Sequence, residues 1–298
     1  MRLPRMPSLR SLVGLAPALV TVGSVLVMFA AVHATFFSPA VPMNPRDEGY
    51  ITAFAARMLE GHFLPYVDAV SHRGPMLYVV AALASAVGDR ESFVPIRVLA
   101  LGCSLLIVAL TFVAAWRARR PLAGAVAALG VLVACVLEMI PDDGLAYNGE
   151  PLLDVFALAA LVCLTFGLDA DRARPSARWS AAAGVLAALG ALSKQVGAIT
   201  VVALALWPVA ASIARPREGS RLQRWRPAWA YAAGAVVPPA LVLVRYAAAG
   251  ALRTLFYYVV TYNSRIYMAP VAGSEALHRY RVWMSDHAVL ATAGVVLV

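Results

Sequence analysis

The sequence predicts an all-α polytopic membrane protein, and three observations predict it. The chain is 61% hydrophobic and 14% charged over 298 residues, with a mean hydropathy of +0.75, too apolar for a soluble domain of that length. Its apolar residues fall in long runs and do not alternate at period two, which argues against a membrane β-barrel. Its arginines gather at the ends of those runs. Of the 24 arginines, 14 lie in four short segments: Arg2, Arg5 and Arg10; Arg117, Arg119 and Arg120; Arg172, Arg174 and Arg178; and Arg215, Arg217, Arg221, Arg224 and Arg226. This is the positive-inside pattern and puts all four segments in the cytoplasm. Of the 16 acids, only Asp169, Asp171 and Glu218 share those segments. The net charge of +9 therefore belongs to membrane flanks. With no aromatic and basic stacking platform in the chain, no nucleic-acid partner is expected. Cys103, Cys135 and Cys163 fall inside apolar runs as small buried hydrophobes, without metal spacing or a disulfide framework.

The four basic anchors fix the path of the chain. Residues 11–37 are longer than a signal-peptide core of about 7–15 residues, so they read as an uncleaved helix running outward. Between 38 and 117 the chain must cross once. Residues 93–116 are long enough to do so, whereas the 14 residues 75–88 reach only about 21 Å at 1.5 Å per residue, short of a core of about 30 Å. Residues 75–88 are therefore expected to form an interfacial or re-entrant helix on the outer side. Residues 121–140 return outward and 151–168 go back in, with 141–150 as an outer loop. The run 179–213 has arginines at both ends, so it crosses twice and turns near residue 196. Residues 228–247 exit again, and 250–287 form a second outer segment. The last run, 288–298, covers less than half a span and reads as a helix cut in mid-course. The short linkers imply a single transmembrane domain over 1–298, with 38–92 as a first outer loop carrying interfacial helices.

That first outer loop holds the densest chemistry. From Asp47, the apolar positions Ile51, Phe54, Ala55, Met58 and Leu59 follow helical spacing, closed by Gly61, which predicts a short amphipathic helix lying in the interface. Asp47 and Glu48 suit the start of that helix as cap and first-turn acid, and a capped carboxylate is also a fixed one. Asp68 and His72 follow in a turn-rich return that leads to Arg73. A guanidinium at headgroup level can hold phosphate oxygens in a bidentate manner, although plain attraction to anionic lipid accounts for it too. Lys194 is the only lysine in the chain and sits with Gln195 at the turn of an apolar hairpin. An ionisable group at that depth is a candidate for function. In 141–150, Asn148 and Glu150 are favoured over Asp142 and Asp143, whose Asp-Asp-Gly pattern reads as a plain turn. Tyr262, Asn263 and Arg265 form a fourth polar group on the same side. No zinc-protease, nucleophile-elbow, P-loop or dinucleotide-binding motif is present.

Four features of these segments resemble GT-C class integral-membrane glycosyltransferases of glycosyltransferase family 39, the protein O-mannosyltransferase and aminoarabinose-transferase-like enzymes. They are the Asp47-Glu48 pair with the Gly61 to Asp68 stretch after it; the Arg73-Gly74-Pro75-Met76-Leu77-Tyr78 entry to the next helix; Asn148-Gly149-Glu150; and Lys194-Gln195. Arg73 stands where the family has lysine, and the family's C-terminal helices and outer domain have no counterpart in the 298 residues.

The resemblance implies a GT-C-like fold in a bacterial plasma membrane, with the site on the outer face. It implies transfer of a sugar from a polyprenyl-phosphate donor to a hydroxyl of a lipid, glycan or protein acceptor, with inversion at the anomeric centre. Asp47 would be the catalytic base, and Arg73 and Lys194 would bind the donor phosphate. Glu48, Asp68, His72, Tyr78, Asn148, Glu150, Gln195 and Arg265 would bind substrate. No cofactor is implied with certainty, though the outer acids could hold a divalent cation. The alternatives are a transporter or flippase for a lipid-linked or anionic solute, and a non-catalytic envelope scaffold.

Overall fold

A computed structural model describes residues 9–35, 47–61, 63–118, 120–133, 145–167, 176–214 and 220–267, with positions 278 and 281. Among these residues the fold is helical and contains no strand. Helix α1 is Leu9–Thr35, α2 Asp47–Leu59, α3 Pro75–Val87, α4 Val94–Arg117 and α5 Pro121–Val133. Helix α6 is Gly149–Gly167, α7 Ala177–Ser193, α8 Gly197–Ile213 and α9 Arg221–Ala248. A short helix, α10 (Leu252–Phe256), runs into a π-helical stretch, Tyr257–Tyr267. Within α1, α4, α6 and α9 lie segments long and apolar enough to cross a membrane.

Packing gives the bundle two unlike ends. Helices α4 and α6 run side by side in the same direction: Leu152, near the start of α6, packs with Ile96 and Cys103 near the start of α4. At their far ends the Arg117 guanidinium lies 4.6 Å above the Phe166 ring. Phe166 stacks on Trp179 at 5.4 Å, and Arg178 caps that indole at 5.6 Å. Helix α7 returns antiparallel to α6, with Gly190 of α7 against Leu153 and Phe156 of α6. The Lys194–Val196 turn then reverses the chain into α8. This gives an arginine end, holding Arg117 and Arg178, and a loop end, holding the starts of α2, α3, α4 and α6 and the α7–α8 turn.

Helix α3 belongs wholly to the loop end. Its Gly74 cap presses on Leu192 and Ser193 at the end of α7, and Gly88 beyond its last turn presses on Pro95 at the start of α4. Both ends of this helix thus meet the loop end of the bundle. Helix α2 lays its apolar stripe on α3: Ile51, Phe54 and Ala55 are buried with Leu77, Tyr78, Ala81 and Ala82. Helix α1 packs on α4 and α5 through Val25, Phe29, Val108 and Ala128. The His33 ring and the Ser104 hydroxyl share a 3.1 Å hydrogen bond between α1 and α4.

Helices α7 and α9 cross at contact distance. Gly184 lies against the backbone of Tyr231 and Ala235, and Gly234 against the backbone of Ala181. Neither position has room for a side chain. The end of α9 reaches the loop end, where the Tyr246 hydroxyl donates to the Pro65 carbonyl at 3.0 Å.

Candidate functional site

Five sequence-distant segments meet at the loop end. Asp47, the first residue of α2, pairs with the Arg73 guanidinium. Both side chains are about four-fifths buried, with exposures of 23% and 21%. Lys194, in the α7–α8 turn, pairs with Glu150 in the first turn of α6. Both of these remain open to solvent, and Gly149 leaves space for the lysine stem beside it. His72, next to Arg73 in the chain, feels charges of both pairs: Asp47, Arg73 and Lys194. Burial lowers its pKa below the usual 6.5, Arg73 and Lys194 push the same way, and Asp47 opposes them.

The segment that carries Arg73 is held by several partners. The Arg73 N–H donates to Ser71 Oγ at 3.1 Å, and the Tyr66 hydroxyl donates to the Arg73 carbonyl. The Ser71 and Tyr78 hydroxyls share a hydrogen bond. The His72 carbonyl accepts from Gln195 Nε2 at 2.6 Å and from Asn263 Nδ2 at 2.7 Å. The Pro65-Tyr66 turn closes on itself through Tyr66 N–H to the Ala69 carbonyl at 2.9 Å and through Leu64 N–H to the Asp68 carboxylate. Tyr66 takes a left-handed backbone at φ 69°, unusual for a bulky residue, and is 2% exposed. Its buried ring and its hydroxyl bond hold it there.

Each expected residue can now be placed. Asp47, His72, Arg73, Glu150, Lys194 and Gln195 come together. Tyr78 lies beneath them, fully buried and stacked on Phe54 at 4.6 Å. Asn148 caps α6 by accepting the Glu150 N–H at 3.1 Å. Asp68 is exposed and engaged within its own turn. Glu48 turns inward, fully buried, to pair with Arg97 of α4 at 3.0 Å. Arg265 is exposed on the π-helical stretch. Asp142, Asp143 and Arg119 lie outside the described residues. Among the described residues, no group of three or more His, Cys, Asp or Glu side chains is arranged to hold a metal ion.

The sequence reading missed Arg97, Tyr66, Ser71 and Arg245. Arg97 carried a usable signal, an arginine inside an otherwise apolar spanning run, since such a residue needs a partner. Tyr66 and Ser71 act through loop geometry that no periodicity encodes. Arg245 borders a cavity of about 560 Å³ between the end of α2, Gly61 and residues 63–65, α3, α7 and α9. The cavity is walled by apolar side chains such as Met58, Met76, Leu189 and Pro238, and among the described residues Arg245 is the one charged residue lining it. Its lining includes Pro75, two residues from Arg73, but not Asp47, Arg73 or Lys194. The cavity thus adjoins the chain segment that carries Arg73.

The model of the dolichyl-phosphate-mannose-protein mannosyltransferase family matches residues 72–244, more than half of the chain. No curated protein and no solved structure gives a match.

Proposed function

Because this chain belongs to the dolichyl-phosphate-mannose-protein mannosyltransferase family, membrane glycosyltransferases of the GT-C type, we propose that it moves a sugar from a polyprenyl phosphate to an acceptor hydroxyl at the outer face of a bacterial plasma membrane. The observation that carries this reading is the Asp47–Arg73 pair beside an apolar cavity. A lipid-linked sugar phosphate has three parts: an apolar chain, an anionic phosphate and a polar sugar. The cavity suits the chain, the cations suit the phosphate, and the polar residues around His72 suit the sugar. Cavities of several hundred cubic ångströms are the usual size of small-ligand sites.

The chemistry is a single displacement. The acceptor oxygen attacks the anomeric carbon while the bond from that carbon to the phosphate oxygen breaks. Asp47 takes the hydroxyl proton as general base, and the bonding pair leaves with the polyprenyl phosphate. The back-side attack inverts the anomeric centre. In the structure Asp47 is held by Arg73. A guanidinium has five N–H donors in a planar fork, so an incoming phosphate can engage Arg73 and loosen its hold on the carboxylate. Donor binding would then both place the leaving group and free the base. Lys194, as a second cation, stabilises the charge that develops on the leaving phosphate, and Glu150 keeps it poised until the donor arrives.

The test is incubation of the purified full chain with a panel of radiolabelled polyprenyl-phosphate sugars and hydroxyl acceptors. Release of polyprenyl phosphate matched by label on the acceptor is expected for at least one donor. Transmembrane movement of the intact lipid-linked sugar in proteoliposomes, with no cleavage of any donor, would replace this reading with that of a flippase.

A further inference from the structure

The π-helical stretch Tyr257–Tyr267 lies wholly beyond the segment matched by the family model, yet it reaches into the site. Asn263 Nδ2 donates to the His72 carbonyl at 2.7 Å and lies 3.1 Å from the Tyr258 and Val259 carbonyls of its own turn. On the same carbonyl, Gln195 Nε2 donates at 2.6 Å from the α7–α8 turn. A carbonyl oxygen has two lone pairs, so two amides from unlike elements occupy both. Tyr262, the neighbour of Asn263, sets its ring 6.3 Å from the His72 ring at 30°. The bonds of the next residue complete the picture. The peptide before the Arg73 Cα is fixed by the two amides and by Ser71, and the carbonyl after it is fixed by Tyr66. With both flanking peptide groups fixed, the backbone dihedrals of Arg73 are fixed, and so is the direction in which its side chain leaves.

We propose that Asn263 is a positioning residue: with Gln195 it clamps the His72 carbonyl and thereby aims the Arg73 guanidinium at the donor phosphate. This rests on the functional reading above. It makes the π-helical stretch part of the donor site without contact between Asn263 and the donor. π-Helical turns are rare and frequent at functional sites, and this one brings the Asn263 amide onto the chain segment that needs holding.

A binding cycle tests the proposal. The affinity for a polyprenyl monophosphate in detergent micelles is measured for the full chain, Asn263→Ala, Arg73→Ala and the double variant. Asn263→Ala is expected to weaken binding about tenfold, since a misplacement of about 1 Å is costly in a preorganised site. In the Arg73→Ala background the same change is expected to have no further effect, because Asn263 acts through Arg73. A purely structural role would weaken binding by the same factor in both backgrounds and overturn the proposal. So would Asn263→Ala binding within twofold of the parent chain. Gln195→Ala removes the other donor to the same carbonyl and serves as the second variant should Asn263→Ala not fold; the same dependence on Arg73 is expected of it, and loss independent of Arg73 counts against the clamp. Failure of the parent chain itself to bind polyprenyl phosphate would overturn the functional reading and the clamp with it, whereas binding by the parent with the variants unchanged overturns the clamp alone.

Discussion

Asp47 carries the proposed chemistry, and its placement at the start of α2 makes its replacement informative. Asn caps helices about as well as Asp, so Asp47→Asn is expected to keep the fold while losing about 10²–10⁴-fold in transfer rate. Turnover near the parent rate on the donor and acceptor found with the panel would show that Asp47 only caps the helix. Glu48, its neighbour, does different work. The Glu48–Arg97 pair is 0% and 3% exposed and joins the start of α2 to α4. Removing one partner of a buried pair leaves a charge in a medium that cannot solvate it, at a cost of about 3–5 kcal/mol. Arg97→Met is thus expected to lower the thermal midpoint in detergent sharply, and adding Glu48→Gln should recover much of the loss. A midpoint unchanged in the single variant would mean that the pair does not hold α2. At this scale the sequence is legible where residue type itself is the signal: an acidic pair after the first apolar run, a lone lysine, an arginine before Gly-Pro. It is silent on Tyr66 and Ser71, which are chosen by loop contacts made across several residues. The inward turn of Glu48 was hidden because its partner lies some fifty residues on, within α4.

Helix limits follow apolar runs where the membrane sets them and depart where it does not. Helix α4 spans Val94–Arg117 against an expected 93–116, and the 179–213 hairpin turns at Lys194–Val196. Helix α9 instead begins at Arg221, seven residues before the apolar run. Ser220 caps it through the Gln223 N–H at 3.3 Å, and charged residues propagate a helix as well as apolar ones. Hydropathy alone cannot see such a start. Nor can it see the α7–α9 crossing, which depends on small residues at matching heights. Gly234→Leu would push a side chain into the Ala181 backbone and force the helices apart. Overpacking of this kind typically costs about 1–3 kcal/mol, and the expected result is a lowered thermal midpoint in detergent. Gly130→Leu, at a position where an added Cβ meets nothing within 4 Å, is the control and should change little. Equal loss in both variants would point to a general intolerance of bulk instead of a specific crossing.

At the scale of the whole molecule, the two ends of the bundle differ in charge, and this difference predicts an orientation. Arg117 and Arg178 sit with Phe166 and Trp179 at one end, while Asp47, Glu150 and their cations sit at the other. Arginine-rich flanks stay on the cytoplasmic side during insertion, so the loop end should face outward. The same parity requires that α3 not cross, because a crossing there would send the Arg117–Arg120 segment outside. Single cysteines at positions 68, 88, 178 and 221, in a chain whose own cysteines are replaced by alanine, give the test. A membrane-impermeant thiol reagent applied to intact cells is expected to label 68 and 88, and to reach 178 and 221 only after the membrane is opened. Position 88 decides the most, since it lies just beyond α3. Labelling of 68 but not 88 from outside would make α3 a true span and reverse everything after it, including the sidedness of the Lys194 turn. The packing of Gly88 on Pro95, at the same end as the Asp47–Arg73 pair, argues for outside labelling at both positions.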